Sequence, residues 1–156
     1  MNHQTEKKRS LASAALVLLL ASGLCASAAA HHSFAMYDRQ LTRTMTGKLT
    51  RFVPGANHAQ LIFQLVDPDG EPMVADNGDP VLWGVETGPA RVIAREGITV
   101  ESFPLGTILT VTLNPLRDGR NFGARIGSAQ LIKCGMTLPE GGCTEETGRV
   151  FQGAEY

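Results

Sequence analysis

From residue 44 onward the chain is a succession of short β-branched runs, each closed by turn chemistry. Thr44 to Val53 alternates between polar and apolar positions as a half-buried strand does, and Pro54-Gly55-Ala56-Asn57 interrupts it. His58 to Val66 predicts a second strand with Leu61, Phe63 and Leu65 on one face, and Asp67-Pro68-Asp69-Gly70 predicts the turn after it. These two strands read as a hairpin. Glu71 to Pro80 holds three Pro or Gly residues and three acids, the texture of an exposed loop, before Val81 to Val85 resumes as a third strand with Trp83 in the core. Gly88-Pro89 then changes the period. Pro89 suits the first turn of a helix, Ala90, Val92, Ile93 and Ala94 supply an apolar side, and Gly97 can stop it, which predicts a short helix within residues 89–96.

Thr107 to Leu113 predicts a fourth strand ended by Asn114-Pro115, and Asp118-Gly119 predicts the next reversal. Phe122 to Lys133 follows as the last strand, bent at Gly123 or Gly127, and Thr137 to Tyr156 reads as a loop-rich tail. The order β-β-β-α-β-β is that of a mainly β, OB-like, five-stranded Greek-key barrel with one short helix between strands three and four. A β-sandwich with an incidental helix is the alternative.

The N-terminal segment has a different composition. Lys7-Lys8-Arg9 forms a basic start, Leu11 to Leu20 an apolar stretch, and Ala26 to Ala30 a small-residue exit, the three parts of a secretory signal peptide. The apolar run is shorter than the ~20 residues a spanning helix needs. The expected division is therefore a signal peptide over 1–30 and a single β-barrel domain over 31–156, exported to the periplasm of a Gram-negative bacterium. Three registers of the small-x-small rule leave His31, Ala30 or Ala29 as the first mature residue.

Losing Glu6, Lys7, Lys8 and Arg9 with the leader leaves eleven basic against fourteen acidic residues. That balance offers no footprint for a polyanion, so the barrel is not read as a nucleic-acid binder. Of the three cysteines, Cys25 departs with the leader. Cys134 and Cys143 remain, spaced across Gly135, Pro139, Gly141 and Gly142, and are expected to form a disulfide, as export favours.

The few histidines carry the main chemical signal. One lies in the leader; the others are His31, His32 and His58. A mature chain starting at His31 would offer an amine and an imidazole from one residue, as in a histidine brace. Starting at Ala30 or Ala29 would put a histidine third, where amine, backbone amides and imidazole wrap Cu(II) or Ni(II) in a square plane. With His58 at a turn-to-strand boundary, His31, His32 and His58 are the candidate metal ligands, copper first, with Met36, Asp38 and Glu86 as possible additions. The alternative makes the His pair a solvated start and His58 a loop-ordering residue.

Asp67, Asp69, Glu71, Asp76 and Asp79 do not have calcium-loop spacing. No Gly-x-Ser-x-Gly, redox Cys-x-x-Cys or glycine-rich phosphate loop occurs, and no catalytic residues are assigned.

Five segments occur in an order that resembles a family of small exported bacterial proteins of unknown function. They are His31-His32-Ser33-Phe34 with Tyr37-Asp38, Gly47-Lys48-Leu49-Thr50, Asn57-His58, Trp83-Gly84-Val85-Glu86, and Asn114-Pro115-Leu116-Arg117-Asp118-Gly119. The resemblance spans most of residues 31–133 and implies His-His-Ser-Phe after the signal, Asn-Pro-His after the first strand and a Trp-x-x-Glu strand. This chain keeps the His of the middle motif without its proline. The resemblance adds ordered positions and no activity.

Together these features predict a periplasmic binding module, not an enzyme, that holds copper through His31, His32 and His58. A metal-free module contacting a protein or small molecule is the second reading. A copper-dependent oxidoreductase is the third.

Overall fold

The computed structural model describes residues 35–126 and 129–152. The chain divides into two units, Met1–Met36 and Tyr37–Tyr156, and the strands belong to the second. The signal peptide, His31 and His32 lie outside the described residues. The elements run β1 (Arg43–Val53), β2 (Gln60–Leu65), β3 (Leu82–Glu86), helix α1 (Ala90–Ile93) continued by a 3-10 turn (Ala94–Glu96), β4 (Ile108–Pro115), β5 (Phe122–Ala124), β6 (Leu131–Gly135) and β7 (Arg149–Phe151). The helix is too short to cross a membrane, and no other described helix is longer.

The strand order is β1-β2-β3-β5-β4-β6-β7, and β1 also pairs with β4. Following β1, β2, β3, β5 and β4 back to β1 closes a five-stranded ring. Every pairing in it is antiparallel except β3 with β5, which is parallel. With a helix between β3 and β4, this is a small OB-like barrel.

Closure depends on β1 serving two neighbours. Its first half, Arg43 to Lys48, pairs with β4, while Gly47 to Val53 pairs with β2 through a register shift between Leu49 and Arg51. Gly47 lies in both ladders, opposite Leu65 and Leu109. A Cβ there would stand 2.5 Å from the Gln64 carbonyl oxygen and 2.5 Å from the Phe63 ring. The missing side chain is what lets the strand coil this tightly.

Alternation sends Leu49, Leu61, Phe63, Trp83, Val85, Leu109, Val111 and Leu113 into the barrel. Ile93 of α1, with Ile98 and Phe103 after it, joins the same core. Burial of each such side chain contributes about 1.5–3 kcal/mol. Pro89 enters the helix at φ −52° and ψ 140° without a side-chain cap, and Gly97 stops the 3-10 turn at φ 90°, where other residues are strained.

Three sequence expectations need correction. Phe122–Lys133 is not one bent strand: its first part pairs with β3 and the end of β4, and its last part with the start of β4. Between them the Arg125 side chain is buried. Asn114-Pro115 also remains within β4, opposite Ala124 and Gly123, because a proline in the final pair of a strand costs little of the ladder.

The tail is not all loop either, since it contributes β7 beside β6. The buried Phe151 packs on Phe103 with ring centroids 5.3 Å apart. Arg125 donates to the carbonyls of Ala129 (3.0 Å), Phe151 (2.9 Å) and Gln152, and its guanidinium lies 3.8 Å from Glu96. The expected Cys134–Cys143 disulfide is present, its Cα atoms 5.7 Å apart. It closes over a second small core of Ile108, Ile132 and Cys143 outside the ring.

Candidate functional site

His58 stands on the β1–β2 connection, and local backbone bonds fix its position. A Cβ at Gly55 would strike the His58 carbonyl, so glycine permits the tight turn that precedes it. The Gly55 carbonyl then accepts the Ala90 N–H (3.1 Å), while Ala59 donates to the Gly88 carbonyl (3.0 Å). Thr87 completes the clamp: its N–H (2.8 Å) and hydroxyl (3.2 Å) both donate to the Ala59 carbonyl. The turn is thereby tied to the β3–α1 connection and has little freedom to swing.

In the β2–β3 ladder Gln60 lies opposite Glu86, so a residue just before β2 comes beside the end of β3. His58 Nδ1 accordingly lies 3.4 Å from Glu86 Oε1. The imidazole is 38% exposed and the carboxylate 17%, so one edge of the pair faces water. A carboxylate at Nδ1 favours the tautomer with its proton there, which leaves the lone pair on Nε2.

Glu86 has a second polar neighbour. Tyr37 precedes the barrel and forms an antiparallel bridge with Leu116, while the Asp38 N–H donates to the Pro115 carbonyl (2.8 Å). The Asn114 side-chain amide donates to the Leu41 carbonyl (2.9 Å), which pins this arm against the end of β4. Tyr37 is only 2% exposed, and its phenol lies close enough to Glu86 to feel the carboxylate's charge. Burial pushes the phenol's pKa upward, and the charge of Glu86 pushes it further the same way. Tyr37 therefore keeps its proton beside Glu86.

The result is a row running from a buried phenol through a half-buried carboxylate to a partly exposed imidazole. Chemically it orients one histidine nitrogen outward. Second-neighbour carboxylates do the same for metal-binding histidines.

Among the described residues, no three His, Cys, Asp or Glu side chains gather closely enough to hold a metal ion. Of the proposed ligands, His58 is the member described, and it brings one imidazole. Glu86, named as a further ligand from sequence, is occupied in orienting it. Asp38 instead faces Arg117 at 4.0 Å.

The acids of the 67–79 region order turns. Asp67 Oδ1 accepts the N–H groups of Asp69 and Glu71, each at 2.9 Å, and Asp79 accepts the Asn77 side-chain amide at 2.7 Å. Tyr37 was not assigned a role from sequence. Its place in the His-His-Ser-Phe…Tyr-Asp segment was the available signal.

No curated relative and no solved structure matches the chain. A family model does match, over residues 18–125, and so covers β1 to β5 while ending before β6, the disulfide and β7. The chain belongs to DUF6152, a family of unknown function.

Proposed function

We propose that this protein is an exported, periplasmic metal-binding module whose His31, His32 and new amino terminus, together with His58, hold one Cu(II). The observation that carries the reading is the Tyr37–Glu86–His58 row, in which a carboxylate sits at Nδ1 and a buried phenol lies behind it. A solvated loop histidine needs no such support, whereas a ligand imidazole gains orientation and basicity from it. The donor set is also appropriate. Imidazole and amine nitrogens suit Cu(II), which heads the affinity series for divalent ions at such ligands.

Chain length adds a permissive argument. Five peptide steps separate His32 from the anchored Tyr37, and an extended chain of that length spans at most about 18 Å. Removal of the leader after Ala28, Ala29 or Ala30 would free the amine that the site requires.

Calorimetric titration of Cu(II) into the processed protein tests this reading. Wild type should take up one equivalent, with affinity falling as the pH is lowered because the ion displaces protons from nitrogen ligands. His58→Ala should weaken uptake at least tenfold. If wild type binds copper no better than His31→Ala/His32→Ala, the metal reading fails and a metal-free interaction module replaces it.

A further inference from the structure

A cleft of about 210 Å³ opens beside the β4–β5 turn, lined by Asp38, Leu41, Arg43, Trp83, Leu116, Arg117 and Arg120. β5 runs parallel to β3, so this turn lies toward the Leu82 end of β3, whereas His58 lies beside Glu86 at the other end. The cleft and the histidine row have different lining residues, although Arg120 of the cleft acts electrostatically on Tyr37.

Its charge is unbalanced. Arg120 is held by Asp118, with Nε and Nη2 each 2.8 Å from Oδ2, and Arg117 lies 4.0 Å from Asp38. Among the described residues Arg43 faces no carboxylate within ion-pair distance; its guanidinium lies over the Trp83 ring, 5.6 Å from the centroid. Three guanidiniums against two carboxylates leave one positive charge in a chain of net charge −1. The rest of the lining is apolar.

We infer that this cleft binds a small organic carboxylate with a flat apolar body. Guanidinium forks pair with carboxylates in two parallel hydrogen bonds, and Arg43 has its fork available for that purpose. Leu41, 44% exposed, with the edges of the buried Trp83 and Leu116 that reach the cleft, supplies contact for a ring or short hydrocarbon, which a bare inorganic anion would leave unused. The size fits. A cavity of about 150 Å³ accepts benzene, so this one has room for a ring and its carboxylate. Asp118 keeps Arg120 at the rim through the turn itself: its Oδ1 accepts the Arg120 N–H at 3.1 Å.

Trp83 is the chain's sole tryptophan, so its fluorescence reports on this cleft directly. Benzoate should produce a saturable change at millimolar concentration, while benzamide, acetate and inorganic phosphate each bind at least tenfold more weakly. Arg43→Gln should lower benzoate affinity at least fivefold. Because that change also alters the surroundings of Trp83, the same ratio should be read by calorimetry, and Arg117→Gln should lower affinity without disturbing the ring. Benzamide binding as well as benzoate would overturn the role of charge. Acetate or phosphate binding equally well would overturn the role of the apolar body. No saturable benzoate binding by either method would overturn the site. None of these results depends on copper uptake, which remains a separate test of the histidine site.

Discussion

A buried phenol beside a carboxylate resists ionisation, and Tyr37 is placed in that way. Burial raises its pKa above the unfolded value, with Glu86 adding to the effect. The unfolded phenol ionises near about 10, so the folded state binds the proton more tightly above that pH. Tyr37 therefore contributes stability that is complete below pH ~10 and lost as pH rises further. Melting temperature should fall more steeply above this pH in wild type than in Tyr37→Phe. At neutral pH the same substitution should cost about 1 kcal/mol by removing the polar neighbour of the carboxylate. The neighbouring link is tested by Glu86→Gln, which removes the charge that selects the His58 tautomer. Ring nitrogen shifts should show the proton predominantly on Nδ1 in wild type and redistributed toward Nε2 in the variant; identical shifts would dissociate Glu86 from His58. His58 and Glu86 were visible as candidates in sequence, since each flanks a strand end. Their pairing was not, because it depends on the β2–β3 register. Tyr37 was hidden further, because its contact forms only once the preceding arm crosses the end of β4.

At the scale of elements, the barrel depends on a few local features. Gly47→Val should destabilise the fold by about 1–3 kcal/mol, because the new side chain meets the Gln64 carbonyl and the Phe63 ring where two ladders share one residue. Urea unfolding measures the loss, and an unchanged midpoint would show that β1 has slack there. Replacing both Cys134 and Cys143 by Ser should cost about 2–3 kcal/mol for a bridge spanning nine positions. The alternation of β1, β2 and β3, the turn after Val66 and the helix opened by Pro89 were legible because each rests on short-range periodicity or turn chemistry. The division of Phe122–Lys133 was not. It arises where the chain exchanges β3 for β4 as its neighbour and buries Arg125, a residue type that ordinarily faces water. β7 was obscured likewise, its few residues held by Phe151 packing and Arg125 hydrogen bonds formed only in the complete fold.

For the molecule as a whole, β1 to β5 form a closed ring that holds two dissimilar chemical features. The histidine row lies at the Glu86 end of β3, and the arginine-lined cleft lies toward the Leu82 end. Tyr37 and Asp38, adjacent in sequence, reach one feature each. The central claim concerns the histidine row, and it is tested most directly by nuclear magnetic resonance of the processed, isotope-labelled protein with one equivalent of Cu(II). Paramagnetic broadening should remove the His58 ring signals together with the amides of Ala59 and Glu86, while the Asp67–Gly70 turn and the Cys143 region stay sharp. Copper uptake with His58 signals intact would contradict the account.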